Sequence, residues 1–271
     1  MVVSLRDRLY RTNAVVLARQ DYGEADRIFI LYTPSGGKLS AIAKGVRRPK
    51  SRMGPHLDYF TEVSLELAKG RSLDVVTHAA TVNAHLGLRS DIDAYGHAAH
   101  FAELVRHLTH DRQENRQVYE LLASSLSLLN DGVAAWPVAR HFELNLLGLL
   151  GFRPELFRCI NCLKTLEPEA NAFSNRLGGM LCPACRTVDP SAVAVSLDAQ
   201  KYIRLLARSG LAAVIGIGLT EPLEREIAVL LASYTRYVAE REFASLGVLS
   251  SMRQAIGPPG PGSIPVADPQ S

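Results

Sequence analysis

With 271 residues, 47% of them hydrophobic and 21% charged, the chain has enough apolar material for two or three modest cored domains and too much for wholesale disorder. No apolar run nears the roughly 18 residues that cross a bilayer, and Met1 to Leu9 holds Arg6, Asp7 and Arg8 in place of an apolar signal core. A cytoplasmic protein without membrane contact is expected. Net charge is +3 but uneven: residues 1–80 carry 13 Lys or Arg against 8 Asp or Glu, residues 81–158 carry 7 against 9, and the rest is balanced at 10 each.

The first 82 residues read as short strands. Asn13 to Arg19 and Arg27 to Tyr32 are apolar runs, and a break at Pro34-Ser35-Gly36-Gly37 leads into Leu39 to Ala43. From Thr61 to Leu67 the pattern alternates: Val63, Leu65 and Leu67 can face a core while Glu62, Ser64 and Glu66 face water. A last strand is predicted from Leu73 to Val82. Five strands with Gly-rich turns in about 80 residues point to a small antiparallel barrel, of which the oligonucleotide-binding (OB) barrel is one solution.

From Asp91 the period becomes helical. Leu104, Val105 and Leu108 stripe a first helix, Leu121, Leu122, Leu126 and Leu129 a second, and Phe142, Leu146, Leu149 and Leu150 a third opening near Pro137 and leaving at Gly151. Ser196 or Asp198 can cap a helix through Ala207, and Thr220 can open one through about Leu246. Residues 257–271 hold five prolines and three glycines, so a disordered tail is expected.

All four cysteines fall within 27 residues, as Cys159-Ile-Asn-Cys162 and Cys182-Pro-Ala-Cys185. Two such knuckles complete a tetrahedral sulfur site, and zinc is the expected ion, with an iron–sulfur cluster and a redox or unmetallated site the alternatives. Four sulfur ligands leave no open coordination position, so its role is structural. Gly178-Gly179 fits a tight hairpin before the second knuckle. No phosphate loop, dinucleotide-binding glycine pattern, His-Glu-x-x-His or nucleophile elbow occurs, and nothing nominates a catalytic group. His97, His100, His107 and His110 share one side of the first helix with Glu103 and read as packing or half-exposed residues rather than a second metal site.

Within residues 44–52, Lys44, Arg47, Arg48, Lys50 and Arg52 occur with no acid among them. Such a block suits a polyanion or merely keeps a loop soluble. The stretch Tyr22-Gly23-Glu24-Ala25-Asp26-Arg27, then Gly37-Lys38-Leu39, then Ala43-Lys44-Gly45-Val46-Arg47-Arg48 resembles the N-terminal barrel of the RecO family of recombination mediators. The segment Arg140-His141-Phe142-Glu143-Leu144-Asn145-Leu146-Leu147-Gly148 is similar to that family's central helical motif, and the knuckles resemble its zinc-bearing branch.

With the patterns above, an α+β multidomain fold is expected: the resemblance implies a five-stranded OB-type β-barrel (residues 1–82), a helical domain (83–158) and a four-cysteine zinc-ribbon insert (159–190), and periodicity and composition add C-terminal helices packed on the helical domain (191–255) and a disordered tail (256–271). It implies a non-enzymatic, nucleoid-associated protein that binds single- and double-stranded DNA and anneals complementary strands. With RecR, such a protein helps RecA displace single-stranded-DNA-binding protein (SSB). Lys44, Arg47, Arg48, Lys50 and Arg52 are the expected phosphate contacts, extended by Lys38 and Arg27. Four such contacts give a single-strand salt slope of about −3. Tyr22, Tyr32, Tyr59 and Phe60 are stacking candidates, with core positions the alternative for those entering strands. Arg140 occupies the motif position implied to grip the C-terminal carboxylate of SSB; an ordinary pair with Glu143 is the alternative. A zinc-ribbon transcription or RNA-binding factor and a metal-dependent nuclease are the rival functions. Around the ribbon, Arg158, Lys164, Arg176 and Arg186 are the available cations.

Overall fold

The run from Ala14 to Leu17 does not alternate because both of its faces are covered. In the computed structural model, which describes residues 9–240, Ala14 and Val16 point into a barrel while Val15 and Leu17 pack against helices. The barrel is made by β1 (Leu9–Tyr22), β2 (Asp26–Thr33), β3 (Gly37–Ala43), β4 (Glu62–Ala68) and β5 (Asp74–Asn83), closed in the order β1-β2-β3-β5-β4. The pairing of β3 with β5 is parallel, and each of the others is antiparallel. Phe29, Leu31, Leu39, Val63, Leu65 and Leu67 fill the interior, so the alternation read in β4 is realised. This is the OB-type closure, which leaves no open sheet edge.

Three helices follow: α1 (Ile92–Leu108), α2 (Arg116–Asn130) and α3 (Ala135–Leu149). Asp91 caps α1 by accepting from the backbone of Asp93 and Ala94, and Asn115 caps α2 by accepting from Val118. A small sheet, β6 (Ala172–Ser174), β7 (Gly179–Leu181) and β8 (Val193–Ala194), carries the cysteines; α4 (Leu197–Ser209) and α5 (Glu221–Ala239) complete the chain. Ser196 is the cap of α4, its hydroxyl oxygen accepting from the Ala199 N–H. The expected extension of α5 to Leu246 and the expected disordered tail lie outside the described residues.

α3 is the shared wall. Val138, Ala139, Phe142 and Leu146 share a core with α1, α2 and the outer face of the barrel, with Phe142 stacked on Phe101 at 4.1 Å, while Trp136, Leu144 and Leu147 join the core formed by the small sheet, α4 and α5. A helix covered on both sides buries its polar residues too, and that decides the fate of Arg140.

The barrel is docked to the helices by reciprocal polar grips. The Lys38 ammonium donates to the carbonyls of Arg106 and Thr109, both at 2.6 Å, satisfying orphan acceptors at the end of α1. In return, Arg112 reaches the buried Asp74 of β5 at 3.1 Å, and the Arg112 N–H donates to the Lys38 carbonyl. Tyr10 also donates to Asp74. Burial raises the Asp74 carboxyl, but the Tyr10, Arg112 and Gly70 donors outweigh it and hold it below the ordinary carboxylate range.

Gly37 sits at this seam with φ +59°, and a Cβ there would lie 1.9 Å from the Gln113 carbonyl oxygen. Gly37→Ala therefore combines a left-handed backbone with a backbone clash, and the expected cost is ~1–3 kcal/mol. Urea unfolding should show a lowered midpoint with an unchanged slope. A parent-like midpoint would mean that the seam does not hold the barrel.

Candidate nucleic-acid interface and metal centre

The basic loop is stitched to the β1–β2 hairpin. Gly45, at φ +64°, donates its N–H to Asp26 at 2.7 Å, Val46 is buried in the barrel core, and the Arg47 N–H donates to the Ala25 carbonyl. These ties fix the loop on a rigid support while its cations stay exposed. Lys44, Arg48, Lys50 and Arg52 are exposed and make no side-chain ion pair among the described residues. Arg47 and Arg27 share the Asp21 carboxylate, at 3.4 and 2.6 Å. The Arg27 hydrogen bond, reinforced by Arg47 and Arg19, holds the Asp21 carboxyl below its usual range.

Lys38 stands apart. Its side chain is 15% exposed, and a third oxygen, from Asp111 at 3.3 Å, joins the two carbonyls around its ammonium. A phosphate would have to displace these partners. Among the stacking candidates, Tyr32 and Phe60 are buried, Tyr59 is half-buried and Tyr22 is exposed.

Asp58, Arg19 and Arg89 carried no sequence signal, yet they form a second cationic cluster where barrel and helices meet. One Asp58 oxygen accepts from Arg19 at 2.9 Å and the other from Arg89 at 3.0 Å. The Arg19 guanidinium lies 4.8 Å from the centre of the Tyr59 ring.

Arg140 is 4% exposed at its side chain. Its guanidinium contacts Glu143 at 2.9 Å, and the same Glu143 oxygen meets the His100 ring at 3.0 Å. An outside carboxylate would have to replace Glu143, so the arginine offers no open fork in this arrangement. His97 and His100 are buried in the helical core. Among the described residues, the four cysteines are the one group of three or more His, Cys, Asp or Glu able to hold a metal ion.

The knuckles converge as the spacing requires. In the first, Leu163 adopts φ +63° while the Cys159 N–H donates to Lys164 and the Leu163 N–H to Cys159; in the second, the Cys185 N–H donates to Cys182. The hairpin return falls at Gly178, φ +75°. All four Sγ atoms lie within 4.8 Å of one another, and Cys162 and Cys182 are 3.9 Å apart. A tetrahedron with metal–sulfur bonds of about 2.3 Å has edges of about 3.8 Å, so the donor set fits a closed four-sulfur site. Amide donors reach the sulfurs, from the Cys182 backbone to Cys159 at 3.4 Å and from Asn161 to Cys185 at 3.3 Å. Burial pushes the Cys159 thiol up, but the N–H groups of Cys162, Cys182 and Asn161 outweigh it and bring it to about 6.

Nor is the cysteine region an isolated staple. Leu156, Cys159, Leu166, Phe173 and Met180 share one core with Trp136 and Leu144 of α3 and with residues of α4 and α5.

Comparison with known proteins gives two matches that together span nearly the whole chain. Residues 7–85 match the family described as "Recombination protein O N terminal", and residues 89–247 match "Recombination protein O C terminal". The chain is 37% identical over 260 residues to the DNA repair protein RecO of Roseiflexus sp., covering 96% of this chain and 92% of that protein. It is 34% identical over 259 residues to that of Pelotomaculum thermopropionicum (96% and 100%) and 31% identical over 246 residues to that of Dehalococcoides mccartyi (91% and 97%). No helix among the described residues is long and apolar enough to cross a membrane.

Proposed function

The chain belongs to the RecO family, and from that premise we propose that it is a non-enzymatic, cytoplasmic and nucleoid-associated DNA-binding mediator that anneals complementary strands. With RecR it helps RecA displace SSB. The observation that carries this reading is the exposed basic loop, Lys44 to Arg52, pinned to a closed OB-type barrel. Cations on a rigid support meet a sugar-phosphate chain without regard to base order, which is what a strand-annealing protein needs. The proposed phosphate contacts are Lys44, Arg47, Arg48, Lys50 and Arg52, with Arg27 beside them. Lys38 acts instead through the docking of the barrel. The SSB tail is proposed to depend on Arg140 indirectly, through the helix that its buried pair shapes. Zinc is the proposed ion of the cysteine site, where it would supply structure alone.

The deciding experiment is annealing of SSB-coated complementary strands with and without the protein. The variant Arg47→Ala/Arg48→Ala/Lys50→Ala should anneal more slowly, and its single-strand affinity should fall with log salt less steeply than the parent's, by about 2 in slope. Unchanged affinity in a folded variant would remove the loop from the interface. Strand cleavage on adding metal ions would favour the nuclease reading, and preference for one sequence or RNA structure would favour a transcription or RNA-binding factor.

A further inference from the structure

Granted the single-strand reading above, we infer that the DNA path does not end at the basic loop but continues along β1 to a second subsite at the seam between barrel and helices. There Arg19 and Arg89 take phosphate, and Tyr59 and Tyr95 offer faces to unpaired bases.

The path is continuous in charge. Arg19 and Asp21 lie two residues apart on β1 and so on one face of the strand, roughly 7 Å from each other along it. Asp21 is held by Arg27 and Arg47 at the head of the loop, and Asp58 is held by Arg19 and Arg89 at the seam. Four guanidinium groups against two carboxylates leave the track cationic. Each carboxylate takes one N···O contact from each of two arginines, leaving further N–H donors of each half-exposed or exposed guanidinium to meet phosphate.

Aromatic surface lies beside the second pair. The Arg19 guanidinium covers one face of Tyr59, and Phe60, buried, meets the Tyr95 ring edge-on at 5.2 Å. Tyr95 itself is 39% exposed. Burial raises its phenol, Asp58 and Tyr59 add to the effect, and Arg19 and Arg89 oppose it. Ring contacts run from Tyr95 through Phe60 to Tyr59, whose ring lies 5.9 Å from that of Phe60, and on to Arg19, while Asp58 ties Arg19 to Arg89, so one small region gathers all five groups. Alternating cations and exposed aromatic rings are what unpaired nucleotides require, since each base offers a face to a ring only when it is out of the duplex.

The local backbone is built for this placement. Asp58 also accepts the Tyr59 N–H at 2.8 Å. Phe60 stands at φ +63° and is held there by donating to the Val16 carbonyl at 2.9 Å. An aromatic residue in the left-handed region persists only where its surroundings over-determine it, and such positions concentrate at functional sites. Because Arg89 and Tyr95 belong to the helical part and Arg19 and Tyr59 to the barrel part, the subsite exists only while the two are docked.

The test is fluorescence anisotropy on the full chain with labelled dT oligomers of about 4 and about 16 nucleotides, the two ends of the range covered by one barrel, of which the shorter is filled by the basic loop alone. Tyr95→Ala should weaken binding of the longer oligomer about ten-fold and of the shorter by less than about two-fold, with an unchanged salt slope. Tyr95→Phe should restore it, and an abasic oligomer of the longer length should bind the parent and Tyr95→Ala alike. Arg89→Ala should instead reduce the slope by about 0.7 on the longer oligomer. If both variants keep parent affinity for the longer oligomer while the loop variant loses it, the second subsite is overturned and the single-strand reading stands. If the parent binds neither oligomer at low salt, both fall.

Discussion

Cys182→Ser is expected to abolish metal binding at the four-cysteine site and to unfold more than the loop that carries it. Structural zinc in small modules contributes about 10–16 kcal/mol of binding free energy that is also folding free energy, whereas whole domains are stable by only about 5–15 kcal/mol. Here the effect has a route into the rest of the molecule. Cys159 and its neighbours Leu156, Leu166 and Met180 pack in one core with α3, α4 and α5, so loosening the knuckles exposes apolar surface on three helices. The single tryptophan, Trp136, lies in that core, with its ring 5.5 Å from Tyr202. Its emission should shift to the red in Cys182→Ser, or in the parent stripped by chelator, together with a lowered thermal transition and a tendency to aggregate. The barrel core shares no residue with that cluster. Binding of single strands to the basic loop should therefore outlast the loss of the Trp136 signal. Full metal removal with unchanged emission and melting would show that the sulfur site carries no structural weight.

How far the sequence reaches depends on the range of the interaction. The strands of the barrel were legible because hairpin strands alternate locally and turn at glycines, and β4 needed nothing beyond its own seven residues. The cysteine site was legible because its ligands lie close in sequence and its chemistry admits few readings. The exposed loop was legible as charge. Lys38 reads as one more member of that basic track, yet its partners Arg106 and Thr109 are about seventy residues away, and nothing local marks a lysine as the cap of a distant helix. Asp58 fails for the same reason: its partner Arg19 lies on a strand distant in the chain, and its pair with Arg89 exists only once barrel and helices are docked. Tyr32 sits in an apolar strand, and only the helices covering its outer face make it core. The environment of Arg140 is legible only in part. The pairing with Glu143 was readable from a three-residue spacing, but the burial of that pair was not, because it arises from coverage of α3 on two sides by elements distant in the chain.

Glu143→Ala should be among the most destabilising single substitutions in the helical part. Glu143 is 1% exposed and its Oε1 meets both Arg140 and His100, which is itself 1% exposed. The Arg140 Nε and the Glu143 Oε2 find no partner among the described residues, so the network is short of donors and acceptors even when intact. Removing one member of a buried pair typically costs about 3–5 kcal/mol, because the charge left behind has neither water nor a counter-ion, whereas replacing both by apolar groups of similar volume is often neutral. Arg140→Met/Glu143→Leu should accordingly recover most of the stability that Glu143→Ala or Arg140→Ala loses in urea unfolding. The double variant also separates two roles for the arginine. Should binding of an SSB-tail peptide return with the fold in Arg140→Met/Glu143→Leu, Arg140 serves the partner by shaping α3. Should stability return without the peptide, the guanidinium itself makes the contact, and α3 must open to let a carboxylate take the place of Glu143.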